Sequence, residues 1–239
     1  MPTKEAQVHQ AGSAREVANA AIASASAIAL CGGLWLLHHA AEGHAPPQPS
    51  VAQAATGADR IRSAAPALAP SIPVRIRIPE IRVDAPLTGL GLTRTGRLDV
   101  PPAGRRNLAG WYAAGTVPGG IGTAIVAGHV DTARGPAVFY ALGALPKGST
   151  IEVGRRDGSA AVFTVYAVEV YAANAFPDDK VYGAAGRPEL RVITCGGGYT
   201  KATGYQGNVV VFARLTGSRP AGSRLMGSRP ANSRVTSVR

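Results

Sequence analysis

Val162-Phe163-Thr164-Val165-Tyr166-Ala167-Val168-Glu169-Val170 sets β-branched and aromatic residues at a period close to two. That is the pattern of a strand with one face in a core. Val74-Arg75-Ile76-Arg77-Ile78 alternates in the same way. Residues 123–127, 150–153, 190–194 and 209–212 are short apolar runs of strand length. Glycine and proline punctuate the intervals, and Arg156-Asp157-Gly158 is a hairpin-turn signal. Helix signals are weak: residues 136–142 and 178–182 each have room for a single turn. Many short strands at this spacing predict an all-β sandwich or barrel. Residues 73–215 are long enough to enclose one core.

Outside this region the chain changes character. Residues 17–37 are uncharged, rich in Ala and Ser, and end in Leu34-Trp35-Leu36-Leu37. Their length matches a bilayer's hydrocarbon core. Lys4 and Arg15 precede them and no Lys or Arg follows until Arg60. This asymmetry places residues 1–16 in the cytoplasm and the bulk of the chain outside the cell membrane. A cleaved signal peptide is the rival reading. Residues 38–72 are rich in Ala, with proline at 46, 47, 49, 66 and 70, and read as a semi-extended extracellular linker. Residues 216–239 repeat arginine every five positions, at 219, 224, 229, 234 and 239. That period fits neither strand nor helix and reads as a disordered tail.

The charge follows these boundaries. The whole chain has 25 Lys+Arg against 14 Asp+Glu, net +11. The N-terminal 72 residues sum to zero, residues 73–215 carry +6 in mixed signs, and the tail carries +5. An excess so divided is not a nucleic-acid footprint. On an exported chain, the tail would adhere to anionic wall polymers or lipid headgroups, or remain a solvated appendage.

Two cysteines exclude a disulfide-rich scaffold and a four-cysteine zinc site. Cys31 falls in the apolar stretch, and His9, His38, His39 and His44 precede the domain. The domain therefore contains one cysteine, Cys195, and one histidine, His129. An unpaired thiol in an exported domain points to an intermolecular bridge or a reactive nucleophile. Cys195 ends the run 190–194 and precedes Gly196-Gly197-Gly198; His129 ends the run 123–127 after Gly128. Glycines clear the approach to the thiol, and the amide of Gly196 is a candidate oxyanion donor. A thiol needs a neighbouring imidazolium or other cation to populate its thiolate.

At this point the domain resembles the sortases, membrane-anchored cysteine transpeptidases of Gram-positive bacteria. Ala127-Gly128-His129-Val130-Asp131 and Val192-Ile193-Thr194-Cys195-Gly196-Gly197 carry the resemblance. Gly110-Trp111-Tyr112, Pro118-Gly119, Pro136-Ala137-Val138-Phe139 and Asn208-Val209-Val210-Val211 extend it, in order, across residues 73–215. The Gly-Trp-Tyr and Thr-Cys-Gly-Gly elements are most similar to the class E/F sortases of actinobacteria. Histidine before cysteine separates the domain from papain-like peptidases, and the local signature of L,D-transpeptidases is absent. The resemblance implies a closed eight-stranded β-barrel with one or two short helical turns, preceded by a transmembrane helix.

The resemblance further implies that Cys195 attacks a Leu-Pro-x-Thr-Gly-like sorting signal on secreted proteins and forms a thioacyl enzyme. An amine of a peptidoglycan precursor or a pilin then resolves it. His129 would protonate the leaving amine and deprotonate the incoming one. No cofactor or metal is implied.

The sequence departs from the family where sortases carry an arginine on or just before the last strand. Here those positions read Tyr205-Gln206-Gly207-Asn208. Arg214 shares the parity of Asn208 but would lie about 20 Å further along the strand. Lys201, Gln206 and Asn208 are the candidate replacements, and Thr194 and Gly196 are candidate substrate contacts. Parity leaves Arg191 and Arg134 unassigned. The alternative is a tethered, weakly active or non-catalytic barrel that binds peptides or wall components. A further alternative is an unrelated basic envelope protein that binds through its tail.

Overall fold

The computed structural model describes residues 45–61 and 63–220. Eight strands close into a barrel: β1 (Pro73–Ile78), β2 (Val83–Leu90), β3 (Ala109–Tyr112), β4 (Gly122–Gly128), β7 (Thr150–Arg155), β8 (Ser159–Ala172), β9 (Pro188–Thr200) and β10 (Gly204–Pro220). The two-residue strands β5 (Asp131–Thr132) and β6 (Gly135–Pro136) form a separate small hairpin. The barrel order is β1-β2-β3-β4-β9-β10-β8-β7, and β7 returns to β1. Neighbours run antiparallel except for β2–β3 and β4–β9. The Asp157-Gly158 turn joins β7 to β8 as the sequence predicts.

The barrel is filled by Ile76, Ile78, Val126, Phe139, Leu142, Leu145, Phe163, Val192, Val211 and their neighbours. A second, smaller cluster covers the outer face of β4, β9, β10 and β8. It comprises Ile125, Tyr166, Ala167, Ile193, Val210 and Phe212, with Val181 of the short helix α2 (Asp178–Tyr182) packed onto them. The central strands are therefore apolar on both faces. This is why residues 123–127, 190–194 and 209–212 read as unbroken runs while β1 alternates.

Four findings differ from the sequence reading. β2 carries Pro86 and Gly89, poor strand residues that pairing with β1 and β3 nonetheless holds extended. Residues 138–141 turn tightly and lead into a 3₁₀ turn at Leu142–Ala144, in place of a helical turn over 136–142. Phe139 and Leu142 are drawn into the barrel, and their burial dictates that path. β10 continues to Pro220, so the first arginine of the repeat, Arg219, lies in a strand and pairs with Glu152. Residues 221–239 lie outside the described residues.

The fourth difference is at the other end. From Pro46 onward the segment read as a spacer is laid against the barrel, through a 3₁₀ turn at Val51–Gln53 and the one-turn helix α1 (Gly57–Ile61). Gln53 donates from Nε2 to the Leu145 carbonyl (2.7 Å), and the Ala55 amide donates to Glu169 (3.0 Å). Asp59 meets Lys147 (3.0 Å), while its carbonyl accepts from Arg214 Nη1 (2.8 Å). The Ala65 amide donates to Leu215 and the Leu68 amide to Gly119, and both side chains pack on the interior cluster. Proline-rich composition discourages a core of its own, but an extended chain with few donors can still lie along an existing one. The stretch 17–37 lies outside the described residues. Among the described residues no helix is long and apolar enough to cross a membrane.

Candidate active site

Parallel strands β4 and β9 pair from Gly122↔Pro188 to Ala127↔Ile193. The pairing ends there: His129 directly follows β4, and Cys195 lies two residues beyond Ile193 in β9. The Thr194 hydroxyl ties the two chains at this point by donating to the Gly128 carbonyl (2.9 Å). Alternation sends Val126 and Val192 into the barrel, and Ile125, Ile193 and Cys195 to the outer face. On the far side of β9, Cys195 stands directly opposite Asn208 of β10, and Asn208 opposite Tyr171 of β8. Cys195, Asn208 and Tyr171 thus form one row across β9, β10 and β8.

His129 is half-buried, with Nε2 2.6 Å from the Pro101 carbonyl. A carbonyl only accepts, so Nε2 carries the proton and Nδ1 is the nitrogen left for proton exchange. The Phe139 amide donates to the His129 carbonyl (3.1 Å). Gly128 permits this packing: a Cβ there would stand 2.7 Å from both Val138 and Phe139 side-chain atoms.

Cys195 is a free thiol with an exposed surface. Protein packed around its inner side desolvates it, and this burial raises its pKa above the ordinary thiol value; the Asp131 carboxylate raises it further. Asp131 in β5 accepts a hydrogen bond from the Tyr205 hydroxyl, which joins the β5–β6 hairpin to the β9–β10 hairpin. Burial, then the Asp131 bond, push the Tyr205 phenol upward, and its ring packs on Tyr199 with centroids 5.1 Å apart. Gly197 and Gly198 have φ of +77° and +89°, a left-handed backbone that favours glycine. The Gly197 amide donates to Gln48 Oε1 (3.1 Å), so the N-terminal strap reaches within two residues of the thiol.

The remaining sequence candidates are distributed as follows. Thr194 is buried, its hydroxyl committed to Gly128. Gly196 is buried against Val209. Gln206 is exposed where the β9–β10 register breaks, and Lys201 is exposed in the turn of that hairpin. Arg134 is exposed in the turn between β5 and β6. Arg214 stands opposite Glu189, six residues along β10 from Asn208. Arg191 is buried, 2.7 Å from Glu189 and over the Phe212 ring. The structure therefore brings Asn208 to Cys195, and neither Arg191 nor Arg214.

Three participants escaped the sequence reading. Asp131 was legible as the i+2 neighbour of His129, on the same face of an extended chain. Nothing local marks Pro101 as the carbonyl that orients His129, or Gln48 as the partner of Gly197. Among the described residues, no group of three or more His, Cys, Asp or Glu side chains is placed to hold a metal.

An exposed thiol followed by glycines, on the strand paired with the one that His129 follows, is suited to acyl transfer through a thioester. The sortase domain model matches residues 76–216. The chain belongs to the sortase family, whose members are in general cysteine transpeptidases. No curated protein matches the sequence. Among solved structures it is similar to sortase A of Listeria monocytogenes, at 16% identity over 63% of this chain and 91% of that one, TM-score 0.48. It is similar to the sortase SrtA of Actinomyces oris at 18% identity, over 66% and 89%, TM-score 0.48. It is also similar to sortase E1 of Streptomyces coelicolor, solved with a tripeptide in its active site, at 18% identity, over 64% and 94%, TM-score 0.47.

Proposed function

We propose that this chain is a membrane-tethered sortase of the actinobacterial class E/F type, anchored by residues 17–37 with its barrel outside the cell. Cys195 attacks the Thr carbonyl of a Leu-Pro-x-Thr-Gly-like signal on a secreted protein. The carbon–sulfur bond forms as the Thr–Gly amide breaks, and His129 takes the thiol proton on Nδ1 and delivers it to the leaving amine. An amine of a wall-precursor peptide or a pilin then attacks the thioacyl carbon, and Cys195 departs. The amide of Gly196 and the Asn208 carboxamide are the neutral donors offered to the oxyanion where the family's arginine is absent. One observation carries this reading: β4 and β9 pair in parallel up to Ala127↔Ile193, and the Thr194 hydroxyl bonds the Gly128 carbonyl, so the residues next in line on the two chains are His129 and Cys195.

The test uses a sorting-type peptide, hydroxylamine as trap, and mass spectrometry of the full chain. Wild type should gain the acyl mass, whereas Cys195→Ala should not, and His129→Ala should form it at least a hundredfold more slowly. Failure of wild type to form any adduct or hydroxamate rejects the proposal. A second reading, a peptide-binding barrel without turnover, is favoured by the raised thiol pKa, on which burial and Asp131 act and no cation among the described residues does. It predicts peptide binding with no acyl mass.

A further inference from the structure

Asp131 is placed unlike the other acidic residues. In a chain with 25 Lys+Arg, Asp59, Asp84, Glu152, Asp157, Glu169 and Glu189 each face a basic side chain. Glu80, Asp99, Asp178 and Asp179 are exposed to water. Asp131 is half-buried, and no ion pair involving it occurs among the described residues. Its recorded partner is the neutral hydroxyl of Tyr205, on Oδ2. It sits two residues past His129 in β5, near enough to Cys195 for its charge to act on the thiol. Its hairpin partner Pro136 lines an open hollow of about 340 Å³ with Arg106, Asn107, Val138 and Tyr140.

We propose that Asp131 is the subsite for the attacking amine and receives it as an ammonium ion on Oδ1, while Tyr205 fixes the carboxylate through Oδ2. This rests on the transpeptidase reading above. Amine acceptors are protonated at neutral pH, and a half-buried carboxylate without a counter-ion is suited to such a cation. Bound there, the ammonium gives one proton to His129 Nδ1, and the freed lone pair attacks the thioacyl carbon. The C–N bond forms as C–S breaks. One N–H proton stays on the new amide, and the last goes to the departing Cys195 thiolate. The hollow beside Pro136 takes the chain behind the amine.

Two arms test this on the full chain. In the first, Cys195 is modified by a trimethylammonium-bearing and by a neutral methanethiosulfonate. Wild type should favour the cationic reagent, and Asp131→Asn should reduce the cationic-to-neutral rate ratio about tenfold, with Asp131→Glu restoring part of it. In the second, the thioacyl enzyme is partitioned between glycinamide, a cationic amine, and hydroxylamine, which is largely neutral at pH 7. Asp131→Asn should reduce the glycinamide-to-hydroxylamine product ratio by a similar factor. An unchanged ratio in either arm overturns the subsite. The first arm needs no turnover, so it decides the matter even if the chain forms no thioacyl enzyme.

Discussion

At the scale of single residues, no Arg or Lys among the described residues acts on the Cys195 thiol. Burial and Asp131 both favour the neutral thiol, so alkylation by iodoacetamide should rise with pH and level off above the ordinary thiol range. Asn208→Arg sets a guanidinium opposite the thiol in the β9–β10 register. A cation favours the thiolate, and at this partly solvated position the inflection should fall by about one unit, speeding alkylation at pH 7 about tenfold. No change on that substitution would mean the thiol does not sense the Asn208 position. The histidine and cysteine were legible because each is unique in the domain and each ends an apolar run. The orientation of His129 was not, because a backbone carbonyl 28 residues away leaves no mark on the sequence.

At the scale of elements, the start of β9 is tied to the middle of β8 by a buried charge cluster. Glu189 accepts from Tyr166 (2.9 Å) and meets Arg187 and Arg191, each at 2.7 Å. Burial works to raise the Glu189 carboxyl, but the two arginines and the tyrosine outweigh it and hold it below its usual range. A carboxyl lowered by folding gives stability that is complete above its unfolded value of about 4.3 and is lost as pH falls through its folded value. Glu189→Gln should therefore cost about 3 kcal/mol at pH 7, with the deficit narrowing in thermal melts below about pH 4. A deficit independent of pH would point to packing alone. β1 and β8 were readable because one face is polar and the period shows. β2 and β3 were not, since Pro86, Gly89 and the short Gly110-Trp111-Tyr112 stretch owe their strand state to neighbours far away in sequence.

At the scale of the whole molecule, the sequence boundary at residue 73 and the folded boundary do not coincide. Composition marked residues 38–72 as unable to make a core, but composition does not register a surface waiting to receive the part from Pro46 onward. Gly143 tests that contact, since a Cβ there would stand 2.0 Å from the Pro47 carbonyl oxygen. Gly143→Ala should displace the strap, cost about 1–3 kcal/mol, and speed tryptic cleavage at Arg60 and Arg62 while the β-sheet circular dichroism stays unchanged. Wild-type cleavage rates in this variant would show that the strap is not held there. Followed from its N-terminal side, the described chain makes its first hydrogen bond to the barrel between Gln48 and Gly197. That bond ties the start of the strap to β9 beside the glycines that follow Cys195. The strap's first hydrogen bond and the thiol share one short stretch of backbone, two residues apart on β9.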